Sequence, residues 1–220
     1  MPVVRNYNYE DLPAWTELKM FRKICFHQEE SIQVNEDCPS LAFTVLCGAC
    51  EVNDKGKVTV VNQYETYKTT SKEFTVKGIF KPPFFFIRNV DILLIGGEWK
   101  DADINLFMVN NSDIPKNESA LGAGTPCYYY RNTNFDNHYH DFDEFWIICE
   151  GSGVVQDNGD FYEVKEGDCV ATGNGNHHDF PIAHSLVKAL AIEIAPEGDA
   201  RHGHLWEPIH GKASGNPDKA

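Results

Sequence analysis

The sequence predicts an all-β protein built as a sandwich or a barrel. From about residue 40 onward, runs rich in Val, Ile, Phe and Tyr recur and are bounded by Gly, Pro, Asn or Asp. Many short strands joined by frequent turns are typical of these two architectures. The predicted strand regions are 41–52, 57–68, 73–80, 84–97, 144–156, 160–172 and 184–196.

Turn residues predict two hairpins within these regions. Asn158-Gly159 separates two strand-like runs in "VVQDNGDFYEV", and a type I′ turn prefers this pair because both central residues need a positive φ. Lys55-Gly56 takes the same place in "EVNDKGKVTVV". Helical signal is poor, and the one fair candidate is residues 11–23, where Pro13 suits a first helical turn.

Composition and charge narrow the class of protein. The chain has 220 residues, 42% hydrophobic and 24% charged, which is ordinary for a globular protein of one large or two small domains. No apolar run reaches the ~18 residues that span a bilayer, and the N-terminus lacks the pattern of a signal peptide. We therefore expect a soluble, cytoplasmic protein with no membrane partner. A net charge of −14 argues against nucleic-acid binding, which needs a basic face.

The cysteines predict reduced thiols. The chain has 7 cysteines, and an odd number in a chain of this size argues against a secreted disulfide framework. Cys47-x2-Cys50 resembles half of a zinc site, but it has no second pair, and an odd separation puts the two thiols on opposite faces of a strand. We expect these two, Cys149 and Cys169 to be buried structural residues.

Two segments in the first half of the chain resemble two segments in the second half. "FTVLCGACEV" (43–52) aligns with "FWIICEGSGVV" (145–155), and further on "FTVKGIF" (74–80) aligns with "YEVKEGD" (162–168), in the same order. Two matches in order predict a duplicated β-unit. The first module is expected at residues 1–110, the second at 111–200 and a tail at 201–220, with the polar stretch 110–124 at the boundary.

The stretch "NHYHDFDEFWII" carries the first candidate metal ligands. His138 and His140 are two residues apart and share one face of a strand. Glu144 has the same parity, but a straight strand would place it roughly 13 Å beyond His140. The chain must therefore fold back at "DFD" (141–143) if Glu144 is to join the histidines. The alternative is a solvated hairpin end.

A second polar cluster offers a third imidazole. "GDCVATGNGNHHDFP" (167–181) contains His177 and His178, and the hairpin at Asn158-Gly159 folds the chain back toward the first cluster. Three imidazoles and one carboxylate suit one divalent transition metal ion, namely Fe, Mn, Zn, Ni or Co. If such an ion is six-coordinate, two positions stay open for substrate or O₂.

These residues resemble the cupin superfamily. His138-x-His140-x3-Glu144-x6-Gly151 fits its first motif, and Gly167-x5-Gly173-x-Gly175-x2-His178 resembles its second. The resemblance implies a jelly-roll β-barrel, duplicated here as a bicupin, with metal ligands His138, His140, Glu144 and His178. Three departures lie outside the ligand set: Asn132 where the first motif opens with Gly, Gly173 for the usual proline, and Ile182 for the terminal Asn. These departures therefore weaken the inference about the substrate more than the inference about the metal site.

The repeat then predicts a first module without a metal site. In the alignment of the repeat, Glu36, Cys38 and Ala42 correspond to His138, His140 and Glu144. No histidine occurs between His27 and His138.

Other polar and aromatic residues are candidates for a substrate pocket. Asp141 adjoins a ligand and is a candidate catalytic residue beside Glu144, whereas Asp136 and Asp143 suit solvated turns. We expect substrate contacts from Tyr128, Tyr130, Arg131, Phe142, Trp146, His177 and Phe180. The histidines of "RHGHLWEPIHGK" (201–212) suit a flexible or partner-covering tail better than a second metal site.

Three functions fit this pattern. The first is a metal-dependent isomerase or epimerase of a sugar or related polyhydroxy compound, with an uncharged substrate favoured by the net charge of −14. The second is an Fe(II) dioxygenase, which would need a drier pocket. The third is a non-enzymatic small-molecule-binding module. The resemblance to cupins also implies a homodimer.

Overall fold

The computed structural model describes residues 3–80, 88–110, 137–194, 204–213 and 219. The chain divides into two compact units: Glu17–Lys100, and a second in which Met1–Thr16 joins Asp101–Ala220. The predicted boundary at 110 differs from this division because strand β10 (Ala102–Val109) pairs with β16 (Val187–Ile194) of the second unit. The predicted linker 110–124 lies, apart from Asn110, outside the described residues.

The unit Glu17–Lys100 holds two antiparallel four-stranded sheets, in the orders β2-β9-β4-β7 and β3-β8-β5-β6. Residues of both sheets form one apolar core, which includes Phe43, Val52 and Ile92. The strands are β2 (Leu18–His27), β3 (Ser31–Asn35), β4 (Ser40–Cys47), β5 (Ala49–Asp54), β6 (Lys57–Asn62), β7 (Thr66–Thr69), β8 (Glu73–Gly78) and β9 (Asn89–Gly97).

The other unit holds a five-stranded sheet in the order β1-β14-β11-β16-β10 and a three-stranded sheet in the order β13-β12-β15. Its core again joins both sheets, through residues such as Ile148, Val164 and Phe180. Besides β10 and β16, its elements are β1 (Val3–Val4), a 3₁₀ turn (Tyr9–Asp11), β11 (Glu144–Glu150), β12 (Ser152–Asp157), β13 (Asp160–Lys165), β14 (Cys169–Thr172), β15 (His178–Ala183) and the short helix α1 (Glu207–His210).

The predicted hairpins are confirmed, and the predicted helix is wrong. Asn158 and Gly159 have φ values of 49° and 93°, and Lys55 and Gly56 have 51° and 85°, so both turns use two positive φ values. Residues 18–23 of the predicted helix belong instead to β2, which pairs along its length with β9. Long-range pairing there overrides a weak local helical preference.

The two units share a strand order, which supports the predicted duplication. β2-β9-β4-β7 in one unit corresponds to β10-β16-β11-β14 in the other. The first sequence match therefore pairs equivalent strands, β4 with β11. The second match does not, because β8 pairs with both β3 and β5, whereas β13 pairs with β12 alone. β6 is the hairpin partner of β5, as β13 is of β12, and is the true counterpart.

All six cysteines among the described residues are free thiols, as predicted. Cys50, Cys149 and Cys169 are buried, but Cys25 is exposed and Cys47 is only partly covered. Cys127 lies outside the described residues. Within the described part of the chain, no helix is long and apolar enough to cross a membrane.

Candidate metal centre

Four side chains converge at the centre of the second unit. One ligand atom from each of His138, His140, Glu144 and His178 lies within 4.8 Å of the others. All four side chains are buried, with exposed fractions between 1% and 5%. In the described part of the chain, no other group of three or more His, Cys, Asp or Glu side chains has this arrangement.

Backbone pairing explains why the two sequence clusters meet. His138 and His178 form an antiparallel bridge in which the His178 N–H donates to His138 O at 2.8 Å. The chain then bends at Asp141 and Phe142, as the sequence predicted, and Glu144 opens β11. This bend returns the carboxylate to the histidines.

The separations between these atoms fit the coordination of one ion. His138 Nε2 lies 3.1 Å from His140 Nε2, and Glu144 Oε2 lies 3.1 Å from His140 Nε2 and 2.7 Å from His178 Nε2. Two ligand atoms that bind an ion at about 2.1 Å and at right angles to each other lie about 3.0 Å apart. The cluster therefore has the spacing of a ligand set.

Neighbouring groups fix how two of these ligands face the centre. His178 Nδ1 lies 3.0 Å from the carbonyl oxygen of Asn176, which can only accept, so Nδ1 donates to it and the ring is held with Nε2 toward the centre. Trp146 donates its indole N–H to Oε1 of Glu144 at 2.7 Å. Such outer contacts orient metal ligands in proteins.

Electrostatics favour an ionised Glu144 and a neutral His138. Burial alone would raise the pKa of Glu144, but hydrogen bonds and charge interactions with His140 and His178 outweigh it and hold that pKa well below its usual value. Burial, together with repulsion from the neighbouring imidazoles, holds the pKa of His138 well below its ordinary value. An ionised carboxylate at Glu144 and a neutral imidazole at His138 are forms that bind a divalent transition metal.

The cluster opens onto a cavity of about 190 Å³. Most of its wall is apolar, and the polar groups besides the predicted ligands are two acids and one further histidine. The lining residues are Phe107, Val109, His138, Glu144, Trp146, Asp179, Phe180, Ala191, Glu193 and His204.

Glu193 is a lining residue that the sequence analysis did not select. It is the cross-strand partner of Glu144 in the pairing of β11 with β16, so the two side chains share one face of the sheet. Burial raises the pKa of Glu193, and the charge of Glu144 raises it further. The signal was present in the sequence, since Glu193 has the parity of the inward-facing Ala189 and Ala191.

His204 also lines the cavity, and it belongs to the predicted flexible tail. Its ring is parallel to that of His138, with centroids 3.7 Å apart and 4° between the planes. Leu205 and Tyr139 exchange both backbone hydrogen bonds at 3.0 Å. Residues 204–211 therefore pack against the segment that carries His138 and His140, which differs from the flexible alternative of the flexible or partner-covering tail predicted for 201–212.

The other predicted site residues lie in different places. Trp146 and Phe180 line the cavity. Phe142 stacks on His140, with centroids 4.5 Å apart, but neither it nor Asp141 is a lining residue. His177 also lies away from the cavity wall, with Nε2 3.8 Å from Oε1 of Glu207.

Several predicted residues lie outside the described part of the chain. They are Tyr128, Tyr130, Arg131, Asn132 and Asp136. Asp143, expected at a solvated turn, is instead buried and binds Lys219 Nζ at 2.5 Å and the N–H of Asn174 at 2.8 Å.

In the other unit, two of the corresponding positions carry charged side chains, Glu36 and Lys72, and each forms an ion pair. The Glu36 N–H donates to Lys72 O at 2.9 Å, as the His138 N–H donates to His178 O at 3.2 Å. The side chain of Glu36 pairs with Arg22, and that of Lys72 pairs with Asp37. A lysine at the position of His178 and an arginine beside Glu36 would repel a cation.

The sequence and this geometry were compared with known proteins. Residues 130–194 match the sequence model of a family described as "Cupin domain". An uncharacterized protein, y4oW, of Sinorhizobium fredii is 49% identical over 96 residues. That match spans 44% of this chain and 44% of the length of the relative.

Three solved structures share the fold at low identity. A mutant of the Bacillus subtilis oxalate decarboxylase has a TM-score of 0.57 and 11% identity, over 92% of this chain and 74% of that one. The formate complex of the Lactobacillus farciminis oxalate decarboxylase has a TM-score of 0.56 and 10% identity, over 88% and 80%. AerE from Microcystis aeruginosa has a TM-score of 0.55 and 10% identity, over 82% and 89%.

Proposed function

Because residues 130–194 of this chain match a cupin domain, we propose that the protein is a metal-dependent isomerase or epimerase of a small, uncharged hydroxy-carbonyl compound such as a short sugar. The observation that carries the proposal is a cluster of three imidazoles and one carboxylate beside a small cavity, whose wall includes His138, Glu144 and a second, separate carboxyl group, Glu193.

The residues that would hold the ion are His138, His140, Glu144 and His178. A divalent ion bound there acts as a Lewis acid toward a carbonyl oxygen of the substrate. The chain keeps these ligands in place through the backbone bridge of His138 with His178 and through the Trp146 hydrogen bond to Glu144. The apolar side chains of the wall lower the local polarity, which strengthens polar interactions beside them.

Glu193 is the group that would move the proton. Isomerisation and epimerisation next to a carbonyl both remove a proton from carbon and return it, and a carboxylate within reach of that carbon performs both steps. Glu193 lines the cavity beside Glu144 and is not one of the four convergent donors. It therefore replaces Asp141, which does not line the cavity, as the proposed acid–base residue.

The lining residues support an uncharged substrate of few carbon atoms. The described wall contains Glu193 and Asp179 but neither lysine nor arginine, so it offers no partner to a phosphate or a dicarboxylate. A volume of about 190 Å³ also lies below the ~300 Å³ at which sites for drug-sized ligands begin. The likeness to two oxalate decarboxylases is one of fold and does not carry their substrate to this chain.

The test combines metal analysis with turnover in the absence of oxygen. Purified protein is loaded with Mn or Zn under anaerobic conditions and incubated in D₂O with a panel of trioses, tetroses, pentoses and small hydroxy-ketones. We expect an isomer to form with deuterium at the carbon next to the carbonyl, because a carboxyl group that carries the proton exchanges with solvent. Stoichiometric metal with no isomer and no deuterium incorporation across this panel would overturn the proposal.

A second candidate function is an Fe(II)-dependent dioxygenase, which the apolar wall favours. Phe107, Trp146 and Phe180 form much of that wall, as expected where a reactive oxygen species must be kept from water. O₂ consumption by the Fe(II) protein, with no anaerobic turnover, would favour this function over isomerisation. Protein that binds no transition metal would support neither enzyme and leave the third alternative, a binding module.

The predicted homodimer is a separate proposal. The resemblance to cupins is its support, and light scattering on the purified protein tests it: a mass near twice 24.9 kDa is expected, and a monomer at micromolar concentration would refute it.

A further inference from the structure

His204 lies at the metal centre without belonging to the donor cluster. It lines the same cavity as His138 and Glu144, but the four convergent ligand atoms come from other residues. Its ring lies parallel to that of His138, with centroids 3.7 Å apart and an interplanar angle of 4°. An imidazole is therefore placed beside a predicted ligand, facing the space where a substrate would bind.

The backbone of the segment that carries His138 and His140 sets the position of His204. Leu205 forms an antiparallel bridge with Tyr139, the residue between His138 and His140. In an antiparallel pair, this register places His204 opposite His140 and Trp206 opposite His138. The ring centroids agree, at 5.4 Å for the first pair and 6.4 Å for the second. The pairing that presents two ligands to the centre therefore also presents His204.

The rest of this segment is anchored by its own contacts. Leu205 and Trp206 are 3% and 8% exposed. The Tyr139 hydroxyl donates to the carbonyl oxygen of Gly211 at 2.8 Å, and the Trp206 N–H donates to Nδ1 of His210 at 3.0 Å. These contacts hold the segment that follows His204 in place.

The chemistry of the cavity wall gives His204 a role of its own. Among the described lining residues, the carboxylates of Glu193 and Asp179 accept hydrogen bonds, and the indole of Trp146 donates its N–H to Glu144. A neutral imidazole always carries one N–H donor. His204 thus supplies the described wall with an imidazole N–H, which can donate to an oxygen atom of a substrate.

We propose that His204 is a substrate-binding residue, which donates a hydrogen bond to an oxygen atom of the compound held at the metal centre. The inference rests on the proposed function, because it assumes a substrate oxygen next to a bound ion. In this proposal, the C-terminal segment contributes a substrate contact to the cavity, while the cupin domain at 130–194 supplies the metal ligands.

The experiment uses the full chain loaded with Co(II) and acetohydroxamic acid as the probe, since this compound presents adjacent hydroxyl and carbonyl oxygens to an ion. The visible spectrum of Co(II) reports binding of the probe, and elemental analysis reports metal content. The test variant is His204→Phe, which keeps a flat ring against His138 and removes the donor. His184→Ala is the control, since His184 lies exposed at the surface and pairs with Glu163 at 3.0 Å.

We expect His204→Phe to keep its cobalt and to bind the probe about tenfold more weakly, whereas His184→Ala matches the wild type. His204→Asn restores a donor and should recover part of the affinity. Unchanged probe affinity in His204→Phe would overturn the inference, and loss of cobalt would overturn it in favour of a role in holding the metal. If probe binding depends on His204 but no isomerisation is found, the proposed function fails and this inference stands.

Discussion

Trp146 donates its indole N–H to Oε1 of Glu144 across 2.7 Å, and both side chains are buried. The other carboxylate oxygen, Oε2, lies 3.1 Å from His140 Nε2 and 2.7 Å from His178 Nε2. One oxygen is thus held by the indole while the other faces the imidazoles. The bond sets the orientation of the only acidic ligand in the cluster.

Trp146→Phe removes this donor and keeps an aromatic ring in the core. We expect metal affinity to fall about 10–100-fold, as for other outer contacts of metal ligands. Competition with a fluorescent chelator measures the change. The control is Trp99→Phe, which alters a buried tryptophan of the other unit and should leave metal affinity unchanged. Equal affinities in both variants would contradict the role given to the indole.

His178→Ala and His177→Ala form a matched pair of neighbours. Only the His178 side chain reaches the donor cluster, whereas His177 Nε2 lies 3.8 Å from Oε1 of Glu207. We expect the first variant to lose most bound metal on dialysis and the second to retain it, because removing one of four ligands leaves the site incomplete. Elemental analysis of both proteins decides the point, and similar metal contents would refute the assignment.

The local part of the site could be predicted because its information is local. His138, His140 and Glu144 lie within seven consecutive residues, and a short bridged segment followed by a bend fixes their relative positions. His178 was reachable because the Asn158-Gly159 turn, whose φ values the structure bears out, specifies the hairpin between the two clusters.

His204 and Glu193 were missed for different reasons. His204 meets the site through the Tyr139–Leu205 bridge, a contact between distant parts of the chain that no local pattern encodes. Histidines beside Gly and Pro therefore suggested a flexible tail. The sequence could have identified Glu193, since it lies in a predicted strand and alternates with Ala189 and Ala191, whose side chains face inward.

Errors in the first unit have the same origin. The local sequence 11–23 favoured a helix, whereas the apolar β9 offers β2 a partner along its length. The match of 74–80 with 162–168 followed shared residues, whereas the order of pairing shows that β6 corresponds to β13. Non-local pairing decides both cases.

The pKa of His138 predicts how the metal-free protein responds to pH. Burial and the neighbouring imidazoles lower this pKa well below its value in the unfolded chain, which is about 6.5. The unfolded state therefore binds more protons than the folded state below that pH, so this residue contributes stability that is present above about pH 6.5 and is lost as the pH falls toward the folded pKa.

Thermal unfolding in the presence of a chelator at pH 7.5 and at pH 5.5 measures this effect. We expect the wild type to lose more thermal stability between the two values than His138→Asn, which cannot titrate. Parallel pH profiles for the two proteins would contradict the prediction.

Gly151→Ala and Gly159→Ala distinguish the cost of a steric clash from the cost of a positive φ at a non-glycine residue. Both glycines have positive φ, at 85° and 93°. A Cβ at Gly151 would lie 2.2 Å from the backbone oxygen of Leu186, whereas a Cβ at Gly159 would meet nothing within 4 Å. We expect Gly159→Ala to cost about 1–2 kcal/mol from conformation alone, and Gly151→Ala to cost about 3 kcal/mol or more once the clash is added. Urea unfolding compares them, and equal midpoints would be inconsistent with the close approach.

Glu193→Gln tests the proton transfer proposed for the cavity. The amide has nearly the shape of the acid and cannot carry the proton, so we expect at least a hundredfold loss of turnover with the substrate that the anaerobic screen identifies. Metal content should be unchanged, because Glu193 is outside the donor cluster. Asp141→Asn is the matched control, since its side chain does not line the cavity. Deuterium incorporation from D₂O should fall with turnover in Glu193→Gln and persist in Asp141→Asn. If Asp141→Asn were the inactive protein, the acid–base role would return to the residue beside the ligand, and Glu193 would be left with a part in shaping the wall.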